Sequence, residues 1–160
     1  MNFSDYKIRL VEVFFGVVLS PVLLLGQLIP DYVVALDGSG DFTSIQSAID
    51  QVPANNAERI IIQIGPGEYH EKLLIDKNCI TLQGAGPNQT TILFPILRKA
   101  WRETHTDDWG AATVNLNASD IILRYLTVLN NYGDLYGDRD HQFAVRLMRG
   151  TRIIFDNCRF

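Results

Sequence analysis

Three stretches of this sequence hold the side chains with the widest chemical scope. "WRETHTDDWG" brings two indole rings, Trp101 and Trp109, together with His105 and Asp107. Aromatic rings stack on sugar faces, so this stretch is suited to flank a carbohydrate groove; a hydrophobic tuck beneath a long loop is the competing reading. "GPGEYHE" carries Tyr69 and Glu71, which read either as ligand contacts or as a turn with a buried phenol hydrogen-bonded to a carboxylate. Asp134, Asp138 and Asp140 in "GDLYGDRDH" are hard oxygen donors of the kind calcium takes, but they lack a calcium loop's spacing and read as a solvated acidic loop. Immediately after them, "HQFAVRL" places the uncharged amide of Gln142 ahead of an apolar run. Cys79 and Cys158 are the only cysteines and have no metal-ligand spacing, so no metal and no cofactor are expected.

The chain that must position these groups has 160 residues, 47% of them hydrophobic and 20% charged, with a net charge of -4. That composition suits one globular domain. The acidic balance excludes nucleic acid as a partner, because a phosphate backbone selects faces rich in Lys and Arg. Residues 1–26 differ from the rest, with Lys7 and Arg9 ahead of an apolar run from Val13 to Gly26. They read as a secretory signal cut near Gly26 and Gln27, implying a secreted or periplasmic protein. An uncleaved single-span anchor is the alternative, and the only membrane association expected. Residues 27–160 form the domain.

In that domain, Val33, Val34 and Leu36 suggest a short strand and "DGSGD" a glycine turn. Thr43 or Ser44 then caps a helix in which Ile45, Ala48, Ile49 and Val52 recur at helical spacing, stopped by Pro53. From Arg59 onward only short β-rich runs follow, and no second helix is predicted. An internal repeat organises these runs. "SDIILRYLTV" lies over "TRIIFDNCRF" at an offset of 32 throughout, with Ile121 on Ile153 and Leu123 on Phe155. "NCITLQGAG" lies over "SDIILRYLT" at an offset of 41, the difference falling in the "RKAWRETHTDDWG" loop. Units that cannot bury their faces alone, with insertions confined to one loop, predict an all-β, right-handed parallel β-helix capped at its N-terminal end by the helix. In that register the two cysteines fall on different parts of their coils and read as separate buried thiols.

Two ordered stretches now become specific. "LDGSGDFTSIQSAI" followed by "GPGEYHEKLLI" resembles the opening of the pectin methylesterases (pectinesterases). "ITLQGAGPNQTTI" is similar to a later coil of that family, and "HQFAVRLMRGTRIIFDNCRF" to its Q-A-V-A-L segment and the F-x-N-C-x-F strand after it. The resemblance runs from Val33 to Phe160 and implies a parallel β-helix, a carboxylic ester hydrolase that removes methyl groups from galacturonan, and methylesterified pectin of the cell wall as substrate. By the same resemblance Gln142 corresponds to the glutamine that donates to the oxyanion formed when the ester carbonyl becomes tetrahedral, with Phe143 replacing the family's first Ala. Tyr69 and Glu71 lie near the family's substrate cleft.

The family's two catalytic aspartates, in Y-Q-D-T-L and G-x-V-D-F-I-F-G motifs, and its R-P-W arginine follow the N-C-x-F strand and do not occur in this sequence. The expectation is therefore the N-terminal part of a pectinesterase, truncated before its catalytic coils, inactive alone and prone to self-association through an open strand end. A noncatalytic carbohydrate-binding or structural β-helix, and another β-helix pectin enzyme such as a lyase or polygalacturonase, are the alternatives.

Overall fold

In a computed structural model describing residues 29–160, the chain winds through three parallel sheets in strict rotation. The leader read from residues 1–26 lies outside these residues. A short strand, β1 (Tyr32–Val34), is followed by helix α1 (Ile45–Gln51) and then by β2 (Ile60–Ile64), β3 (Gly67–Tyr69) and β4 (Leu73–Ile75), one strand in each sheet. The next circuit comprises β5 (Ile80–Gln83), β6 (Thr90–Leu93), helix α2 (Arg98–Thr104) and β7 (Ala112–Asn117). The third comprises β8 (Ile121–Arg124), β9 (Thr127–Leu129), helix α3 (Tyr132–Tyr136) and β10 (Phe143–Arg149), and β11 (Ile153–Asp156) opens a fourth. The sheets run β1-β2-β5-β8-β11, β3-β6-β9 and β4-β7-β10, every pair parallel. This is a parallel β-helix.

The register follows the repeat read from sequence. Ile121 pairs with Ile153 and Leu123 with Phe155, while Leu82 stands opposite Leu123 on the other side. Inward positions therefore stack like on like: Ile62, Leu82 and Leu123 form one column, Tyr69, Ile92 and Val128 another, and Leu73 and Val114 a third. All of these but Tyr69 are fully buried, and Tyr69 is 1% exposed. Each buried aliphatic side chain contributes roughly 1.5–3 kcal/mol by leaving water, so the columns supply the core that no single coil has. Ser44 caps α1 by accepting from the N–H of Ser47, and the helix buries Ile45, Ala48 and Ile49. It packs on β1, β2 and β4 and covers that end of the coils.

Four expectations need correction. α2 and α3 are helices that the sequence pattern did not announce, since neither presents an apolar stripe: α2 buries none of its residues and α3 only Gly133. "DIILRYLTV", one of the short β-rich runs after Arg59 and the middle of the repeat, is two strands rather than one, split where Tyr125 takes a left-handed turn with φ 56°. Leu36 lies beyond β1 and is half exposed. The two thiols are free, as expected, but partly exposed rather than buried. Cys79 sits in a left-handed turn conformation, φ 60°, in register with Asp120 and Arg152, which share it.

Candidate functional site

Every candidate site residue lies at or beside one recurring turn, the passage from the second sheet to the third. It occurs after β3, after β6 and after β9, so three coils present it in line. In the first coil the turn is short. Glu71 there turns toward α1, its carboxylate accepting from the Ser44 hydroxyl at 2.8 Å and from the N–H groups of Ile45 and Gln46 at 2.9 and 3.0 Å. These are orphan donors of the helix start, and the carboxylate satisfies them. Tyr69 points inward, and its hydroxyl donates to the carbonyl of Gly65 at 3.1 Å. Burial pushes its phenol pKa up, and the charges of Glu71 and Asp37 push in the same direction. The phenol therefore bonds a backbone carbonyl rather than the Glu71 carboxylate. The Tyr69 ring is 1% exposed and packs in the core, the buried of the two positions open to it from the sequence.

In the second coil the turn expands to hold α2 and the segment up to Ala111. Asp108 anchors it. Its carboxylate accepts from Arg98 through two bonds of 2.9 and 3.1 Å, from Arg146 of β10 at 3.3 Å and from Arg102 at 3.5 Å. The Arg98 hydrogen bond, helped by the charges of Arg146 and Arg102, holds this carboxyl below the ordinary aspartate value. Pinned this way, the segment lays Trp101 and Trp109 over the outer face of the third sheet. They line a cavity of about 170 Å³ with Lys72, Leu74, Gly110 and Asn115. Lys72 Nζ lies 4.2 Å above the Trp101 ring, and burial lowers its pKa. The other face of Trp101 is covered by His105, stacked at 3.5 Å and 9°. Trp109 faces the Arg149 guanidinium at 5.4 Å. Asp107 accepts from the Trp109 N–H at 2.8 Å and, through its carbonyl, from the Trp101 indole N–H at 3.0 Å.

The third coil carries Gln142, at the foot of β10. Its Oε1 accepts from the Gly133 N–H at 2.7 Å and its Nε2 donates to the Asp138 carbonyl at 3.3 Å. Gln142 opens onto a recess of about 360 Å³ lined also by Ala144, Val145, Phe155 and Phe160. The acidic residues nearby each have a partner: Asp134 pairs with Arg139 at 2.7 Å, Asp138 with Lys99, and Asp140 with the His141 ring. Among the described residues no group of three His, Cys, Asp or Glu side chains is placed to hold a metal ion.

A coiled stack of three parallel sheets of this kind has counterparts among known proteins. The Pectinesterase family profile matches residues 31–160. The chain belongs to the pectinesterase family. Pectinesterase 4 of Arabidopsis thaliana is 35% identical over 132 residues, or 81% of this chain and 21% of that protein. Pectinesterase 31 of the same plant is 33% identical over 135 residues, or 79% of this chain and 41% of that protein. Among solved structures, a pectin methylesterase from carrot superposes with a TM-score of 0.68 at 28% identity, over 82% of this chain and 40% of that one. A pectin methylesterase in complex with a hexasaccharide superposes equally, with a TM-score of 0.68 at 25% identity, over 82% and 43% of the two chains. The chain thus spans less than half the length of each of these pectinesterases.

Gln142, Trp101 and Trp109 were singled out from the sequence, but the groups that pack against them were not. Asp108 sits beside Trp109 as one more acidic loop residue, and nothing local shows that three arginines converge on it. Lys72 follows Glu71 in a turn and gains its aromatic surroundings from residues far along the chain. Gly133 was visible only as part of a polar loop.

Proposed function

We propose that this chain contributes the oxyanion donor and the sugar-stacking wall of a pectin methyl ester hydrolase. Demethylation begins when a nucleophile adds to the ester carbonyl and its oxygen takes the negative charge. The Gln142 amide donates to that oxygen without needing to change its own protonation. The observation that carries this reading is the placement of Gln142 in a pectinesterase coil, with its Oε1 fixed by a backbone donor and its Nε2 turned toward the loop carbonyl. Trp109 supplies an aromatic face for a galacturonate ring, Trp101, held between Lys72 and His105, forms the wall beside it, and Lys72 offers a cation for a free carboxylate between methylated residues. Glu71 acts through the capped helix rather than on substrate.

The carboxylates nearest Gln142 are poor nucleophiles and poor acids as placed. Asp138 is held by Lys99, whose hydrogen bond keeps its carboxyl below the ordinary pKa, and Asp134 is paired with Arg139. A single positioned amide supplies neither a nucleophile nor a proton, so the 160-residue chain by itself is inactive. Export through residues 1–26 brings the protein to its polymer. The test is a chimera in which residues 31–160 replace the matched segment of Arabidopsis Pectinesterase 31. It is expected to release methanol from methylated pectin, and Gln142→Ala to lower kcat by roughly 10²–10³ with little change in KM. An unchanged kcat removes Gln142 from the chemistry.

A further inference from the structure

We infer that Gly133 is a positioning residue for Gln142, an assignment that rests on the oxyanion reading above. A carboxamide is an oxyanion donor only when its nitrogen end faces the reacting oxygen, and rotation by half a turn presents the carbonyl instead. Here two backbone groups settle the choice. The Gly133 N–H requires an acceptor and takes Oε1 at 2.7 Å, while the Asp138 carbonyl requires a donor and takes Nε2 at 3.3 Å. The first contact is short. The second is long and uses one of the two amide hydrogens, leaving the other for substrate.

The loop that presents both groups is itself braced. Asn130 accepts from the N–H groups of Ile96 and Tyr132 at 3.2 and 3.3 Å and donates to the carbonyls of Ile96 and Phe143 at 2.7 and 3.2 Å. One side chain therefore ties the start of α3, the neighbouring coil and the residue after Gln142 together. Lys99 of α2 holds the far side of the loop through Asp138.

Gly133 is buried, and the reason it must be glycine lies in the same contact. A Cβ there falls 2.7 Å from Gln142 Nε2, 3.1 Å from its Oε1 and 2.6 Å from Arg139 Cγ. The groups struck are movable side chains, not backbone. Alanine is therefore accommodated by displacing the amide, with the coil left in place.

The test uses the chimera with Gly133→Ala, Gln142→Ala and both together. Gly133→Ala is expected to lower kcat roughly 10- to 100-fold with KM within about twofold, since misplacement by about an ångström costs that much. The double variant is expected to equal Gln142→Ala, because a group acting only through the amide has nothing left to position. An unchanged kcat in Gly133→Ala, or losses that multiply in the double variant, overturns the assignment. If Gln142→Ala leaves kcat intact, the oxyanion reading fails instead, and amide exchange then decides the contact. Gly133 N–H exchange is expected to speed about tenfold in Gln142→Ala and to stay slow in Gln142→Glu, which keeps an acceptor. Equal exchange in all three proteins overturns it.

Discussion

Glu71 caps a helix whose N-cap, Ser44, lies 27 residues before it, its carboxylate accepting from the Ser44 hydroxyl at 2.8 Å. The contact joins α1 to the first turn of the coil, and it explains why a glutamate sits in a turn that also leads into the site. The sequence places "DFTSIQ" and "GEYHE" far apart, yet the cap makes them one unit.

Glu71→Ala is therefore expected to destabilise the fold by about 1–3 kcal/mol, the range for a hydrogen-bonded charged acceptor at a helix start. Denaturant melts of the chimera measure it. Glu71→Gln keeps one acceptor oxygen and is expected to lose less. A loss of pectin affinity with no loss of stability in either variant contradicts the capping role.

The coils were legible because stacked inward residues repeat in the sequence: Leu82, Leu123 and Phe155 occupy one column, and their spacing alone gave the register. α1 was legible from its apolar stripe and Ser44. α2 and α3 carry no stripe to read. They are held by charge and amide contacts, such as Asp108 with Arg98 and Asn130 with Ile96, whose partners lie in other segments or coils. Gln142 and the two indoles were legible as residue types in motifs. Their orientation was not, because backbone groups and cations elsewhere set it.

Acid should expose the three aspartate anchors together. Asp108, Asp120 and Asp138 are each held below the ordinary 3.8, chiefly by hydrogen bonds from Arg98, Arg152 and Lys99 respectively. Their folded pKa values lie below the unfolded ones, so these contacts stabilise fully above the unfolded value and are lost as pH falls through the folded values. The urea midpoint is expected to gain nothing from them between about pH 7 and 5 and to drop below about pH 4. Asp108→Asn and Asp120→Asn should flatten that acid limb. An acid limb as steep as in the parent protein counts against the pairings.

Gly110 offers a way to move the aromatic wall without removing it. Its φ of +87° and its closeness to Trp101, 2.6 Å from the position of an added Cβ, leave no room for a side chain. Gly110→Ala is expected to displace Trp101 and raise KM for pectin several-fold, on the order of ~1 kcal/mol for a disturbed aromatic contact, with kcat little changed. Trp109→Ala should act in the same direction. Steady-state kinetics on the chimera read both, and an unaltered KM in both variants removes this wall from the substrate path.

The chain of 160 residues, produced by itself, is expected to self-associate and to release no methanol from methylated pectin. In the described residues β11 pairs with β8 on one side only, and Phe155 and Phe160, 44% and 61% exposed, meet edge to face at 5.2 Å over the recess beside Gln142. The column beneath them shows what these positions do elsewhere, since Leu123, one coil back, is fully buried. An unpaired strand carrying an inward apolar face is a template for another chain. Phe155→Glu puts a charge into that face and should shift size-exclusion profiles toward monomer, while Ile29→Glu, at a still more exposed residue ahead of β1 at the opposite edge of the sheet, should not. A monodisperse parent chain sinks the association. Methanol above a buffer blank, persisting in Gln142→Ala, sinks the claim that the carboxylates beside Gln142, engaged by Arg139, Lys99 and His141, cannot act as nucleophiles.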